Sequence, residues 1–412
     1  MRRTLMQRDQ ELLEFEFYPA TGDARVIDAS PAGVDLLALA GRAEFDANEA
    51  LRKLLRKRCI SSLRRDFPRI LASYNARMGI ELSLMGHGLS LSDSFWYRAP
   101  GSADRWADIN FFDNAWDPGF GNAILSEDYD SLAACSPDVP DVTTSGRIVK
   151  AWERNEEGVF LMKAAEHSGG ADIQGVKLAS DLCAALFEEE CFVPASIVER
   201  HGRLCSASPL MLASSEELIN GNQLHAIAGV PEGPLVYGRM APGQWSDRIQ
   251  AYAAVGIADA SAHVAKMACC SCLALLADFH PGNFGVIRNL ETGAMRAAPF
   301  FDYDGAFGFP HDARSLSSLC EEPIFAMLMC ANRFSYLDSS WDWSWYDPRL
   351  LEGFEDHIME AYAPYNDLPP NFSELIADLF DMQRAYVTRV ASARQEALRT
   401  NRDKMASTRR EA

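Results

Sequence analysis

The chain has 412 residues, which is more than a single hydrophobic core usually supports, so we expect two or three packed units. Its formal charge of −19 at pH 7 means that most of its surface repels the phosphates of nucleic acids and anionic lipids. Charged residues follow Met1, and no apolar run approaches the about 18 residues of a membrane span, so we predict a cytoplasmic protein with no membrane contact and no direct contact with nucleic acid.

The ten cysteines indicate a reducing environment. Most of them lie in apolar sequence, where reduced thiols pack as small hydrophobic side chains. Cys269 and Cys272 form a C-x-x-C pair, but neither a second pair nor a His-x-x-x-His motif follows at the spacing of a zinc finger. We therefore predict packed thiols, without disulfide bonds.

The first part of the chain has the pattern of a small α+β module. A strand pattern at 14–18 is followed by a basic, amphipathic helix pattern over 50–65, and a further helical segment extends through Met78. Loop-like sequence at 135–142 places the first domain boundary near residue 138. Residues 1–138 are therefore predicted to form an N-terminal accessory module.

Short strands and one helix are predicted after this boundary. They are strands at 148–152 and 159–163, a helix over 173–187, and strands at 196–199 and 204–208. The residues from Asn155 to Gly158 supply the turn of a hairpin between the first two strands. This order of elements is typical of the small lobe of a kinase, which we assign to residues 139–215.

The remainder, residues 216–412, is predicted to be mainly helical and to form a large lobe. Two strands at 285–288 and 297–301, joined by a turn, are the exception. The aromatic cluster at 341–346 is expected to pack onto the lobe instead of forming a binding surface. The predicted fold class is therefore α+β: a two-lobed, protein-kinase-like fold with a small β-rich lobe, a large helical lobe and the N-terminal module.

Residues 278–283 carry the strongest chemical signal. In kinase catalytic loops, an aspartate that orients the acceptor hydroxyl precedes a metal-binding asparagine by five positions, and Asp278 stands at this distance from Asn283. His280 lies between them as a second catalytic candidate. The hexapeptide alone also fits a structural role, with Asp278 as a loop cap and His280 as a buried hydrogen-bonding residue.

A second acidic segment follows the predicted hairpin. The hairpin returns the chain toward Asn283, and its second strand leads directly into Asp302, at the position of the kinase D-F-G aspartate. Magnesium prefers oxygen ligands and keeps several waters and substrate phosphates. Asn283 and Asp302 are therefore the predicted metal ligands, with Asp304 as a further candidate, and ATP and Mg²⁺ are the predicted cofactors.

Thr144, Ser145 and Gly146 form the predicted phosphate loop. They stand immediately before a strand, where backbone N–H groups and hydroxyls can cover phosphates. The alternative is that the hydroxyls of this segment, including that of Thr143, only satisfy turn hydrogen bonds.

Lys163 is the predicted cation of the nucleotide site. It ends an apolar strand, from which its ammonium can meet the α- and β-phosphates. Arg147 and Lys150 are alternatives for phosphate contact, although Lys150 is expected to point from its strand to solvent.

Together these residues resemble the HipA-like kinase family. The matching residues are Thr143-Thr144-Ser145-Gly146, Lys150, Trp152, Lys163, Asp278, His280, Asn283-Phe284 and Pro299-Phe300-Phe301-Asp302. Residues 89–96 and 106–112 also resemble an N-terminal module that accompanies some members. The resemblance covers roughly residues 138–310 in addition to that module.

The resemblance implies an ATP-dependent protein serine/threonine kinase. In such a protein Lys163 contacts the phosphates, Asp278 is the base, and Asn283 and Asp302 hold magnesium. It also implies self-phosphorylation in the loop at 143–145. Some members act as toxins beside a DNA-binding antitoxin, so an antitoxin-like protein partner is a further expectation.

Two departures leave other functions open. The helix after Lys163 carries Gln174-Gly175 where a glutamate would pair with the lysine, although Asp172 or Asp181 can substitute. This difference leaves a nucleotide-binding pseudokinase as one alternative. Phe279 makes the loop resemble small-molecule kinases of the aminoglycoside and choline type, in which a cationic acceptor would require acidic residues such as those at 321–322.

Overall fold

The structure is a computed structural model that describes residues 1–40, 46–231, 244–276, 280–308 and 337–411. Asp278, Phe279, Glu321 and Glu322 lie outside the described residues. The chain divides into two compact units. Unit one comprises Met1–Glu166, Ser196–Ile219 and Ile287–Ala294, and unit two comprises His167–Ala195, Asn220–Val286 and Met295–Ala412. Both sides of the predicted boundary at residue 138 belong to unit one, so the predicted three-part division stays a prediction.

Unit one begins with an antiparallel sheet. Its strands are β1 (Arg2–Gln7), β2 (Gln10–Tyr18), β3 (Asp23–Ala29) and β4 (Phe95–Arg98), in the spatial order β3-β2-β1-β4. Alternate residues of β2, including Phe15 and Phe17, are fully buried and form a core with Leu51 and Leu55. The predicted strand at 14–18 is therefore the second half of a longer one, which pairs with neighbours on both edges.

Short helices follow β3 and β4 along the chain. They are α1 (Pro31–Ala40), α2 (Ala47–Lys57), α3 (Phe67–Ser73) and α4 (Gly79–Met85), followed after β4 by α5 (Trp106–Ile109), α6 (Gly119–Ser126) and α7 (Tyr129–Leu132). The helix predicted over 50–65 is α2, and its predicted C-terminal end is wrong. It ends at Lys57 because Arg58 leaves helical geometry and turns inward, where its guanidinium donates to the carbonyl groups of Gly88 and Phe95.

A second four-stranded sheet follows in unit one. Its strands are β5 (Lys150–Asn155), β6 (Gly158–Ala164), β7 (Ser196–Arg200) and β8 (Arg203–Pro209), in the order β5-β6-β8-β7. The predicted hairpin is confirmed, because Asn155 pairs with Gly158 and its Oδ1 accepts from the N–H groups of Glu157 and Gly158. Buried residues of α6, including Phe120 and Ile124, pack in one core with Ala151 and Met162 of this sheet.

The predicted helix over 173–187 is also confirmed. It forms α8 (Ala171–Leu186), which belongs to unit two although it was assigned to the small lobe. The chain continues through β9 (Glu216–Asn220), α9 (Gly221–Ala228), α10 (Gln244–Ala254), α11 (Ala260–Leu273), β10 (Gly285–Asn289), β11 (Met295–Ala297), α12 (Phe354–Tyr362) and α13 (Phe372–Glu411). β11, β10 and β9 form a three-stranded sheet in that order. The second hairpin strand therefore lies earlier in the sequence than the predicted 297–301. None of the described helices has the length and apolar character required to cross a membrane.

Thiols and aromatic rings fill the interior of unit two. Cys269 and Cys272 are buried on α11, as predicted, and Cys183 of α8 lies 3.3 Å from Cys270, sulfur to sulfur. All eight cysteines in the described part of the chain are free thiols. Trp341, Trp343 and Trp345 stack with ring-centre separations of 6.3 and 5.8 Å, and Trp343 is fully buried. The aromatic cluster therefore packs into its unit, as predicted.

Candidate functional site

The predicted phosphate loop of unit one is closely tied to its surroundings at its beginning and exposed at its end. The hydroxyl of Thr143 donates to the carbonyl groups of Leu89 and Pro140, at 2.9 and 3.0 Å, and that of Thr144 donates to the carbonyl of Asp141 at 2.7 Å. The turn-bonding alternative therefore describes both threonines. Ser145 and Gly146, by contrast, are exposed.

Gly146 occupies a position where a side chain would be strained. Its φ of +89° lies in a region that residues other than glycine rarely adopt, and a Cβ there would stand 2.7 Å from Nζ of Lys150. The loop therefore brings its backbone against the ammonium of Lys150. Any larger residue at 146 would displace that ammonium or the loop.

Lys150 and Lys163 stand directly opposite each other in the β5–β6 ladder, which places both side chains on one face. Lys150 is 6% exposed and Lys163 is 8% exposed, so the prediction that Lys150 points to solvent is wrong. Lys150 is the first residue of β5, and its side chain lies on the same face of the sheet as that of Lys163. Two lysine side chains on one face of the sheet bring two cationic groups near each other, and cationic groups suit the binding of a polyphosphate.

The third basic candidate has a different role. The Arg147 guanidinium donates to the Glu166 carboxylate at 2.7 Å, in a partly exposed ion pair. This pair joins the end of the loop to the residue that follows β6 by two positions. Arg147 therefore contributes to loop structure.

In unit two, the predicted catalytic turn follows α11. Asn283 is 7% exposed, and its N–H donates to the carbonyl of His280 at 2.9 Å. The Pro281 carbonyl accepts from the N–H of Gly221 at the start of α9, which fixes the turn from outside. His280 is exposed, and its Nδ1 accepts from the N–H of Gly282 at 2.9 Å, so the alternative of a buried structural histidine is wrong.

The β10–β11 hairpin connects this turn to Asp302. The N–H of Ala298 donates to the carbonyl of Gly285 at 2.9 Å, so the chain pairs just after Asn283 and just before Asp302. Both residues therefore emerge at the same end of the hairpin, as predicted. Asp302 is half-buried and has a φ of +64°. This left-handed conformation is uncommon for residues other than glycine, and backbone strain of this kind concentrates at functional sites.

The neighbours of Asp302 hold it in this conformation. Phe300 donates from its N–H to Cys191 and accepts at its carbonyl from Val193, at 2.8 and 2.7 Å. The buried Tyr303 hydroxyl donates to the carbonyl groups of Phe300 and Val193, at 2.9 and 3.1 Å. Phe300 and Tyr303 are thus both fixed to the segment 191–193, so the backbone of Asp302 lies between two anchored residues.

Asp304 and the acidic residues of α8 complete this part of unit two. Asp304 is 9% exposed and lies in the turn after Asp302. Asp181 forms an ion pair with Lys177, and its Oδ2 lies 3.1 Å from Nε2 of His357, so its carboxylate is engaged within unit two. Asp172 lies in the first turn of α8. Burial raises the pKa values of Tyr362 and Tyr365, and the charge of Asp172 adds to this effect.

The donor chemistry fits the groups predicted from the sequence. Asn283 and Asp302 offer a carboxamide and a carboxylate oxygen, the hard ligands that Mg²⁺ prefers. Lys150 and Lys163 offer charge for phosphates. Within the described ranges, His, Cys, Asp and Glu side chains form no group of three that could hold a metal ion.

The described elements form an α+β fold with several antiparallel sheets. The structure is similar to that of HipA in the Shewanella oneidensis toxin–antitoxin complex of HipA, HipB and operator DNA. The TM-score is 0.50 and the sequence identity is 11%, over 95% of this chain and 99% of that chain. It is also similar to the Helicobacter pylori proinflammatory kinase CtkA, with a TM-score of 0.42 and 11% identity over 62% of this chain and 94% of that one. The similarity to HipA confirms the predicted fold class and, at the level of the fold, the resemblance to HipA-like kinases. No protein-family model and no curated protein matches the sequence.

Sequence reasoning missed part of the surroundings of the phosphate loop. The Arg64–Asp66 ion pair is fully buried, and Arg64 donates to Thr144 Oγ1 and to the Lys150 carbonyl, at 3.4 Å each. Asp141 is also buried, next to the loop. The sequence contained one weak signal, the Pro140-Asp141 turn pair, but turn aspartates are usually exposed.

Proposed function

We propose that this protein is an ATP- and Mg²⁺-dependent phosphotransferase, and specifically a HipA-like protein serine/threonine kinase. One observation carries the proposal: Asp302 is held in a strained left-handed conformation at the end of the hairpin that begins after Asn283. Two oxygen-bearing side chains lie at one end of the hairpin, and one of them stands on a strained backbone. This arrangement suits metal-assisted phosphoryl transfer better than a structural role.

The proposed roles follow the chemistry of each side chain. Asn283 and Asp302 hold magnesium, which when bound neutralises charge on the transferred phosphoryl group. Lys163 contacts the nucleotide phosphates, and Gly146 lets the loop backbone approach them. Asp278 orients the acceptor hydroxyl, and His280 supports that loop as the second catalytic candidate.

Ser145 is the proposed site of self-phosphorylation. It is the exposed hydroxyl of the loop, whereas the hydroxyls of Thr143 and Thr144 are buried and bonded to carbonyl groups. A phosphate adds about −1.5 to −2 charges at pH 7, so it would alter the electrostatics around Lys150. Self-phosphorylation is therefore proposed to lower the affinity for ATP.

The acceptor and the partner are proposed from the same similarity. A serine or threonine of another protein is the proposed acceptor, and an antitoxin-like protein is the proposed partner, because the similar HipA structure is a complex with HipB and operator DNA. The net charge of −19 makes direct DNA contact by this chain unfavourable over most of its surface. A basic partner would supply that contact.

The decisive experiment incubates the purified full chain with γ-labelled ATP and Mg²⁺, and follows label on protein and free phosphate together. We expect Mg²⁺-dependent label on protein, with Ser145 as the modified residue by mass spectrometry. Lys163→Met should remove the label, while Lys53→Met, at a partly exposed lysine of α2, should retain it. Equal labelling by the two variants would overturn the proposal, and release of free phosphate alone would exclude the protein-kinase part.

A further inference from the structure

Asp141 is a buried acid at the base of the proposed phosphate loop. It lies in a short 3-10 helix, Pro140–Thr143, and is 1% exposed. Its Oδ1 accepts from the N–H of Trp152 in β5 at 2.8 Å. The side chain therefore fixes the turn to the strand that begins with Lys150.

The main chain of Asp141 holds the loop. Its carbonyl accepts from both the N–H and the hydroxyl of Thr144, at 3.1 and 2.7 Å. The same residue thus bonds to the loop through its backbone and to β5 through its side chain. The geometry of Gly146 against Lys150 depends on both connections.

A buried cation lies beside this junction. Arg64 binds Asp66 through two hydrogen bonds of 2.9 and 2.6 Å and donates its remaining Nη1 to Thr144 Oγ1 and the Lys150 carbonyl. Both members of the pair have fully buried side chains. The loop and the start of β5 are therefore joined twice, once through Asp141 and once through Arg64.

Resting on the proposed function, we infer that Asp141 is a positioning residue for nucleotide binding, which fixes the 144–146 loop against Lys150. It does not touch the phosphates. In its neutral form the carboxyl keeps one oxygen as the acceptor for the Trp152 N–H and adds no second negative charge beside the Arg64–Asp66 pair.

The charge state follows from the surroundings of the carboxyl. Burial raises the pKa of Asp141 to about 7, against the smaller opposing effects of the Trp152 N–H and of Arg64. Among the described residues, its Oδ2 has no hydrogen-bond partner that would stabilise an anion. Arg64 is the charged group that acts on Asp141, and Asp66 already binds Arg64.

The test compares Asp141→Asn with Asp141→Ala in the full chain, with Asp130→Ala at an exposed aspartate of α7 as the matched control. Asparagine retains the acceptor oxygen and is always neutral. We expect Asp141→Asn to keep the KM for MgATP within about twofold at pH 6 and to remove a rise in KM that the wild type shows between pH 6 and 8. Asp141→Ala should raise KM about tenfold with kcat nearly unchanged, because the loop loses its connection to β5.

Hydrogen exchange without nucleotide separates this inference from the proposed function. Thr144 and Trp152 amides should lose protection in Asp141→Ala, keep it in Asp141→Asn, and be unaffected in Asp130→Ala. This readout holds even if the protein transfers no phosphate. Unchanged protection in Asp141→Ala would overturn the positioning role, as would an Asn variant that behaves like the Ala variant. If Asp141→Ala does not fold, the asparagine variant decides the question. A rise in the KM for MgATP between pH 6 and 8 that persists in Asp141→Asn would then overturn the positioning role.

Discussion

The β5 region of unit one and the Asp302 segment of unit two hold functional groups by different physical means. Around Lys150, buried side chains such as Arg64 and Asp66 form the supporting contacts. Around Asp302, the supporting contacts are main-chain hydrogen bonds of Phe300 and the Tyr303 hydroxyl. The first arrangement depends on charge and the second on backbone geometry, so the two regions should respond to different classes of substitution.

The largest expected effect is on the charge-dependent region. Arg64→Met leaves the Asp66 carboxylate buried without its cation, and breaking a buried pair typically costs about 3–5 kcal/mol. We expect a corresponding loss in the unfolding free energy of unit one, measured by urea denaturation. Arg52→Met, which removes an exposed pair with Asp23, is the control and should cost at most about 1 kcal/mol. Similar losses in the two variants would contradict the assigned importance of burial.

The second prediction separates stability from activity at Asp302. Asp302→Gly relieves the left-handed strain, so the folded state should gain about 1 kcal/mol. The same variant removes a proposed metal ligand, so phosphoryl transfer should fall on the order of a hundredfold or more. Thermal unfolding with and without Mg²⁺ and ATP measures both effects, because metal-dependent stabilisation by nucleotide should disappear.

Asp302→Asn and Asp378→Asn complete this comparison. Asp302→Asn should lose activity without the gain in stability, because it retains a side chain at the strained position. Asp378→Asn, at an exposed site of α13, should change neither quantity. An Asp302→Gly variant that is both less stable than the wild type and fully active would refute the proposal that the strained conformation of Asp302 serves its function.

The third prediction tests the anchor beside Asp302. Tyr303→Phe removes the hydroxyl that donates to Phe300 and Val193 and leaves the ring packed, so we expect a loss of about 1 kcal/mol in the stability of unit two. Transfer activity should fall with a larger effect on kcat than on the KM for ATP. Tyr365→Phe, at a partly exposed ring of the same unit, is the control. Identical kinetics for Tyr303→Phe and wild type would show that backbone bonds alone hold Asp302.

The smallest expected effect is a pH dependence in unit one. His87 lies between two carboxylates, with Nδ1 2.7 Å from Asp138 and Nε2 3.2 Å from Asp104, and the hydrogen bond to Asp138 raises its pKa. Because the folded-state pKa is raised, His87 stabilises unit one below the unfolded pKa near 6.5, and this contribution is lost as pH rises through the folded value.

His87→Gln should therefore reduce the loss of stability of unit one between pH 6 and 8, by less than about 1 kcal/mol since the site is partly exposed. Urea denaturation at several pH values measures this difference. His201→Gln, at an exposed turn histidine, is the control and should leave the profile unchanged. An unaltered profile in His87→Gln would show that the two carboxylates do not stabilise the imidazolium.

Local sequence signals predicted elements well where local interactions decide them. The β5–β6 hairpin follows from the Asn155 turn, and α8 follows from apolar spacing. The end of α2 could not be predicted, because the inward turn of Arg58 depends on carbonyl groups at Gly88 and Phe95. The burial of Lys150 could not be predicted for a similar reason. Alternation along one strand shows which residues share a face of the sheet, but it does not show what covers that face.

The candidate site shows the same limit. The spacing of Asn283 and Asp302 around a hairpin was visible in the sequence, and the hairpin places both at one end. The strain at Asp302 was not visible, because Phe300 and Tyr303 impose it through contacts with Cys191 and Val193, which are distant in sequence. Burial of Asp141 likewise results from tertiary packing that a Pro-Asp turn signal does not encode.

The stacked rings of Trp341, Trp343 and Trp345 have an optical consequence. Half of the eight tryptophans, these three and Trp245, belong to unit two, and Trp245 lies 6.3 Å from Trp341. The electronic transitions of indole rings at such separations couple. These four tryptophans, which form a ladder of neighbouring rings, should therefore produce a strong near-ultraviolet circular dichroism signal. The tryptophans of unit one are not part of this ladder. During denaturation, the loss of this circular dichroism signal can be compared with the change in total tryptophan fluorescence, to which both units contribute. The comparison would therefore resolve whether the two units unfold together or in sequence.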